Sequence, residues 1–438
     1  MVTYAYFFGG MRMCYGRLCI TKPEVHDVDV VRMKGVYKTT HGWCCRQCHT
    51  TRRSDFVTYW SRPLQRHLTY CRACIQLGRM DDTHDIWQVA SLYKVTEAAY
   101  TLPFDLSEQQ QFASTHIVEA VKRQHTLLLH AVTGAGKTEM MYEAIQYARQ
   151  QGKNVAIVSP RVDVVIELGL RITSIFKTEA IDVLYAGQVA TTDGHFIIAT
   201  VHQLYRYKGH FDVLFIDEVD AFPFKGCDGL HRAVVHALKA QHSCIIMTAT
   251  PDRTLYQRFK IDQTIHLPAR FHRHALPEPK MIYMKLRPQR IQYTFNKWLN
   301  EQCARDRFTL VFFNHIEVMQ QAAKTYRLHF PDLIDVYSED ALRFEKVDAL
   351  RAGKHRIVFT TTILERGFTM ARLDVAVMHA HQFESAALIQ MAGRSGRKAE
   401  APTGTVHFYH TGKTLGMMRA CRDIRKMNRL AREKGWIG

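Results

Sequence analysis

The 438 residues suffice for two or three domains, and with 47% hydrophobic and 23% charged residues the composition is that of a folded chain, not a disordered one. No apolar run reaches the ~18 residues a membrane-crossing helix needs, and MVTYAYFFGG at the start has neither a leading basic residue nor a small-residue cleavage site after it, so neither an integral membrane protein nor a secreted one is expected. Lys and Arg number 59 against 41 acids, and a net charge of +18 suits a polyanionic partner, either nucleic acid or an acidic membrane surface.

Half of that excess lies at the start of the chain. Residues 1–80 carry 13 basic and 4 acidic side chains, and seven of the 11 cysteines fall within the first 74 residues. In a reducing compartment such a cluster reads as metal ligands rather than disulfides. Cys45-x2-Cys48 and Cys71-x2-Cys74, separated by 22 residues, have the spacing of a structural zinc ribbon or knuckle over about 44–75. Four soft thiolates with no open position point to a structural ion. WCCRQCH also offers Cys44, although the CxxC spacing favours Cys45; His49 is an alternative ligand, and Cys14 and Cys19, at x4 spacing, take no part. Between the two knuckles lie Arg52, Arg53, Phe56, Tyr59, Trp60, Arg62 and Arg66. Interleaved cations and rings suit a single nucleic-acid strand, though the rings could equally be the small core of a metal-stapled module.

From about residue 100 short β-rich runs alternate with amphipathic stretches, the pattern of parallel-sheet α/β domains. Strands are predicted at Thr126–His130, Asn154–Ser159, Phe196–Thr200, Val213–Asp217 and Ser243–Thr248, with a helix over Lys137–Gln151. His266–Lys280, with three prolines, reads as an interdomain connection. Beyond it strands are predicted at Thr309–Phe313, Asp335–Tyr337, Arg356–Thr360, Val375–His379 and Gly404–Tyr409. Leu415–Lys434 reads as a helix with Met418, Cys421 and Ile424 on one side and Arg422, Arg425, Lys426 and Arg429 on the others, either solvated or a binding element. The organisation is thus a basic N-terminal region (1–95), a first α/β lobe (96–268), a linker (269–280) and a second lobe with the basic helix (281–438).

The chemistry is concentrated in a few motifs. AVTGAGKTE (131–139), after a strand and before a helix, is a phosphate-binding loop. Thr133, Gly134, Ala135 and Gly136 would turn backbone N–H groups toward phosphate oxygens, Lys137 would reach the β- and γ-phosphates, and the Thr138 hydroxyl would bind magnesium. VLFIDEVDA delivers Asp217 and Glu218 at the carboxyl end of a strand, where α/β sheets bind ligands. Asp217 would hold Mg2+ and Glu218 would polarise the attacking water.

These motifs, in this order, resemble superfamily 2 helicases: LSEQQ (106–110), the phosphate loop, SPR (159–161), TVHQL (200–204), DEVD (217–220), TAT (248–250), TTTILERG (360–367) and QMAGRSGR (390–397). The resemblance implies two tandem RecA-like lobes, each a parallel sheet with flanking helices, behind the zinc module. It implies that Gln110 contacts adenine, that Gly367 and Gln390 serve the nucleotide site, and that Pro160, Arg161, Thr200, His202, Gln203 and Thr362 contact nucleic acid. QxxGRxGR would set Arg394 and Arg397 on one helix face as arginine fingers, so that lobe closure couples ATP hydrolysis to movement along a strand.

A narrower resemblance is to ComFA, the family of late-competence ATPases in naturally transformable Gram-positive bacteria. It rests on the four-cysteine module, YCRACIQLGRM (70–80), SPRVDVVIEL (159–168), DEVDAFP (217–223), LPARFH (267–272) and TTTILERG, which together span about 44–400. It implies ATP-driven work on incoming single-stranded DNA in the cytoplasm at the uptake channel, which allows peripheral association with the inner membrane face. It also implies contact with a phosphoribosyltransferase-like companion and a recombination mediator. The alternative is a replication-restart helicase of the PriA kind, whose zinc cysteines lie within the second lobe rather than ahead of the first. A degenerate, non-motor scaffold does not fit, because every residue the chemistry needs is present.

Overall fold

The computed structural model describes residues 15–24, 28–366 and 368–437, so MVTYAYFFGG, Cys14 and Gly367 lie outside the described residues. The chain divides into two compact units. The first holds the residues up to Asp105 with 113–129 and 138–265; the second holds 106–112, 130–137 and 266–438.

In the first unit the N-terminal region forms three small antiparallel sheets. Asp85–Val89 lies between Leu18–Cys19 and Val30–Lys34, Val36–Thr39 pairs with Gly42–Cys45, and Arg66–Cys71 lies between Phe56–Ser61 and Met80–Asp81. The larger sheet has seven strands in the order Asp182–Leu184, Phe196–Thr200, Val155–Ser159, Phe211–Asp217, Leu238–Thr248, Thr126–Ala131 and Gln263–Leu267. Its central strands pair in parallel, with Val155 opposite both Phe196 and Val213. VAIVS and FIIAT are buried at every residue. A parallel sheet covered on both faces selects such unbroken apolar runs, whereas a half-exposed strand would alternate.

Polar groups also hold this unit together. Asn154 Oδ1 accepts from His195 Nδ1 (2.7 Å), and its Nδ2 donates to Ser91 Oγ and the Leu92 carbonyl. Ser91 Oγ lies 2.9 Å from His210 Nδ1, whose other ring nitrogen meets the Gly194 carbonyl at 3.0 Å. The segment leading out of the N-terminal region is therefore bonded to residues that open interior strands of the larger sheet.

The second unit contains a six-stranded sheet, ordered Lys280–Tyr283, Val406–His410, Leu373–Val377, Phe308–Phe312, Ile357–Thr360 and Ile334–Val336, with all neighbouring strands parallel. Phe295, Trp298, Phe359 and Tyr409 fill its core. Leu415–Glu433 is a helix capped by Thr414, whose hydroxyl accepts from Met417 N at 3.4 Å. It buries Met417, Cys421, Ile424 and Met427 and exposes Arg422, Arg425, Lys426 and Arg429; Met418, expected inside, is 46% exposed.

The expected two-lobe α/β architecture behind a cysteine module is present. Two local expectations change. Lys137–Gln151 is not one helix: a single 3-10 turn (Glu139–Met141) precedes the α-helix Tyr142–Gln150. Arg394 and Arg397 do not lie on a helix either, because Ser385–Ala392 ends before them and Gly396, at φ +62°, turns the chain. Two glycines within four residues make helix continuation costly, by about 1 kcal/mol each.

Candidate nucleotide and metal sites

The N-terminal hairpins bring four thiols together. Cys45 and Cys71 end strands, and Cys48 and Cys74 sit in the turns that follow. All four are buried, and their Sγ atoms lie within 4.8 Å of one another: 3.7 Å for Cys45–Cys74 and 3.6 Å for Cys48–Cys71. Four Zn–S bonds of ~2.3 Å at tetrahedral angles place sulfurs roughly 3.8 Å apart, so this donor set fits zinc. Cys44 is outside the group, with its thiol toward the Cys45 carbonyl (4.0 Å). His49 is outside as well, its ring stacked on His236 at 3.5 Å. Around the metal site, Trp60 is 50% exposed and meets His67 edge-on at 5.2 Å, while the Arg79 guanidinium lies over Tyr59 and Tyr70. Phe56 and Tyr205 pack on the cysteine cluster. Of the interleaved rings, then, some form core and others remain available.

Still in the first unit, Asp217 ends its strand nearly buried, and its Oδ1 accepts from Glu218 N at 2.9 Å. Glu218 has φ +55°, a left-handed conformation uncommon outside glycine, which turns the chain sharply after the sheet. Asp220 accepts from the hydroxyls of Thr248 (2.9 Å) and Thr250 (2.6 Å), which ties DEVD to TAT. Thr138 follows the phosphate loop and is buried. The proposed strand-contacting residues lie at strand-to-helix junctions. Pro160 and Arg161 precede the helix Val162–Ile175, with Arg161 bidentate on Asp163 (3.0 Å twice). Thr200, buried, precedes the 3-10 helix Val201–Arg206 carrying His202 and Gln203. Partial enclosure lowers the His202 imidazole below its ordinary value.

The second unit holds the remaining residues. In the phosphate loop Gly134 (φ +83°) and Gly136 (φ +75°) adopt conformations that side chains disfavour, which lets successive N–H groups converge on an anion. Gln110, buried, donates to the Gly136 carbonyl at 3.3 Å and accepts from Ser107 N at 3.0 Å. Gln390 is buried on Ser385–Ala392. Arg394 is buried and donates to the Phe368 carbonyl at 2.7 Å; Arg397 is half-buried. The Thr133 hydroxyl is 3.5 Å from the Gly393 carbonyl. Thr362, exposed, opens the turn Thr362–Leu364, and Gly367 lies outside the described residues.

Sequence reasoning gave no role to Gln109 and Arg270. Gln109 exchanges two 2.7 Å hydrogen bonds with the Ala269 backbone, and Arg270 is 1% exposed. The signal for Arg270 was in LPARFH, where a cation stands between Ala269 and Phe271; Gln109, flanked by Glu108 and Gln110, gave none.

Fold and residue set define an ATP-dependent helicase of superfamily 2. Residues 103–253 match the type III restriction enzyme res subunit and 294–399 the helicase conserved C-terminal domain. Saccharomyces cerevisiae Dbp5, solved with RNA and ADP BeF3, shares the fold, with TM-score 0.52 at 13% identity over 74% of this chain and 91% of its own. Within that class the chain belongs to the ComFA family of competence proteins. Residues 7–88 match the competence protein ComFA N-terminal domain. The chain is 35% identical to ComFA of Bacillus subtilis (strain 168) over 88% of this chain and 86% of that protein. It is 31% identical to ComFA of Streptococcus pneumoniae (strain ATCC BAA-255 / R6), over 88% and 90%. Family membership sets the PriA-like alternative aside. A helicase of this class uses a nucleotide and magnesium, and among the described residues no helix is long and apolar enough to cross a membrane.

Proposed function

We propose that this protein is an ATP-driven translocase on single-stranded DNA that draws transforming DNA into the cytoplasm. The single observation that carries the reading is that a chain aligned along 88% of its length with ComFA has a complete set of hydrolytic residues on the elements that could use them. Lys137 and the loop Thr133–Gly136 bind phosphates, Gln110 reads the base, and Thr138 with Asp217 would hold the magnesium that neutralises phosphate charge. Glu218 orients the water. Arg394 and Arg397 stabilise charge on the transferring phosphoryl group, and Gln390 and Gly367 serve the nucleotide site. Pro160, Arg161, Thr200, His202, Gln203 and Thr362 follow the strand. Cys45, Cys48, Cys71 and Cys74 would hold a structural zinc.

The domain division supporting this is a basic zinc-bearing region to about 95, a lobe over 96–268, a linker over 269–280 and a lobe over 281–438. The site of action is the cytoplasmic side of the uptake channel, as a peripheral protein, with a phosphoribosyltransferase-like companion and a recombination mediator as partners. The test is the ATPase rate with single-stranded, forked and duplex DNA of matched length. Stimulation strongest with single strands is expected. A rate that responds only to forks or duplex would instead indicate strand separation.

A further inference from the structure

The stretch His266–Lys280 was expected to be a plain connection, yet one of its residues is among the most buried in the molecule. Arg270 is 1% exposed. Among the described residues no carboxylate lies within 4.0 Å of its guanidinium. Its Nη1 donates to the Gly396 carbonyl, its Nη2 to the Gly393 carbonyl at 3.3 Å, and its Nε is buried with no partner. His272 Nε2 lies 3.0 Å from the same Gly396 oxygen. Burial and the like charge of Arg397 pull Arg270 down to about 9, so it remains a cation at neutral pH. A buried charge without a counter-ion destabilises a fold, and a residue kept for stability would have an acid beside it or be apolar.

The surroundings give such a cation a use. Gly393 and Gly396 bracket Arg394, and Arg397 follows directly. The other side of Arg270 faces the phosphate loop, all within the second unit. A Cβ on Gly134 would meet Arg397 Cγ at 3.5 Å and Arg270 Cγ at 3.6 Å. Phe271 N donates to the Gly134 carbonyl at 3.0 Å. A Cβ on Gly393 would collide with the Thr133 hydroxyl at 2.1 Å, and Gly396 at φ +62° has Arg270 Nη1 3.1 Å from where its Cβ would stand. The Arg270 backbone is fixed in turn, since Ala269 N and O are both bonded to Gln109 at 2.7 Å.

We propose that Arg270 is a positioning residue for hydrolysis. Its planar fork grips the Gly393 and Gly396 carbonyls and sets the GRSGR turn, and with it Arg394 and Arg397, against the phosphate loop. The inference rests on the reading of Arg394 and Arg397 as fingers. It makes the linker part of the catalytic apparatus: the fork couples the turn to the loop that receives the γ-phosphate. Lysine cannot replace it, because an ammonium lacks the flat two-pronged geometry.

The informative variant is Arg270→Met, since an apolar side chain of similar length replacing a buried, unpaired charge leaves stability unchanged or raises it. Turnover, KM for ATP and Tm are measured on the full chain for Arg270→Met, Arg270→Lys, Arg397→Ala and Arg270→Met with Arg397→Ala. Arg270→Met is expected to keep Tm and KM while kcat falls on the order of 100-fold, the loss a misplacement of about 1 Å produces. Arg270→Lys should rescue little of it, and the double variant should be no slower than Arg397→Ala alone, because the two act as one device. Arg397→Ala impaired with Arg270→Met normal, or losses that multiply in the double variant, would overturn the positioning role while leaving the fingers. Normal turnover in Arg397→Ala would remove the fingers, and the positioning role with them. A Tm that falls in step with kcat in Arg270→Met would mark Arg270 as structural only.

Discussion

Lys137, itself half-buried, follows the left-handed Gly134 and Gly136 and precedes the buried Thr138. Lys137→Ala should therefore abolish hydrolysis and leave far-UV circular dichroism and Tm close to wild type. Glu218→Gln should still bind ATP, read as fluorescent-nucleotide affinity, and fail to turn over, because the water-orienting carboxylate is lost while Asp217 and Thr138 remain; normal turnover would assign the base elsewhere. The two arginines separate by their burial. Arg397→Ala should lose ~10³–10⁵ in kcat with little change in nucleotide affinity, the range for arginine fingers. Arg394→Ala should lose activity and stability together, since Arg394 is 2% exposed and removing its donor leaves the Phe368 carbonyl unpaired at a cost of about 1–3 kcal/mol. Equal Tm in the two variants would contradict that distinction.

At the scale of elements the zinc module is attached to the first unit as well as folded on itself. Arg232 Nε donates to the Cys48 carbonyl at 3.4 Å, His236 stacks on His49, and Asp228 pairs with Arg52; all three belong to the helix Asp228–Ala237. Tyr205, next to the proposed strand contacts His202 and Gln203, packs on the cysteine cluster. Cys71→Ser with Cys74→Ser should therefore lose zinc, weaken single-strand binding and lower Tm. The deficit should be greatest at low salt and narrow as salt rises, since a variant with fewer phosphate contacts releases fewer counter-ions and has a shallower salt dependence. Trp60→Ala separates the strand role from the metal role. Trp60 is half exposed, so zinc content and Tm should hold while single-strand affinity falls by about 1–3 kcal/mol, the worth of one stacked base. Unchanged affinity would move the hairpin from DNA to a protein partner.

The same elements show what a sequence can reveal. Phe196–Thr200 was legible to the residue, and Val213–Asp217 lacked only Phe211 and Asp212, because unbroken β-branched and aromatic runs admit few other conformations. Asp182–Leu184 and Lys280–Tyr283 were missed; three or four residues at a sheet edge carry too little periodicity. The CxxC pairs were legible from spacing, and only geometry separates Cys45 from Cys44. Gln109 and Arg270 were not legible as partners of anything, because their contacts join segments 123 to 160 residues apart. The turn at Gly393–Gly396 reads as helix because the spacing of Arg394 and Arg397 suits one; Gly393 before them and Gly396 between them were the contrary signal.

For the whole molecule, buried imidazoles set a pH limit. His210 is fully buried between Ser91 Oγ and the Gly194 carbonyl, and burial pushes it down to about 3; His195 beside it is at about 4. The unfolded chain takes up these protons near pH 6.5. Stability is therefore independent of them above that pH and falls as pH drops toward 4, by about 2 kcal/mol at pH 5 for each buried histidine. Tm should decline between pH 6.5 and 5, and less steeply in His210→Gln; parallel slopes would contradict this. The central claim, directed movement along a single strand, is tested most directly by displacement of streptavidin from end-biotinylated single-stranded DNA. ATP-dependent displacement from one end only is expected, abolished in Glu218→Gln although that variant binds ATP and DNA. Displacement absent from both ends, with an ATPase rate indifferent to single strands, would contradict the account.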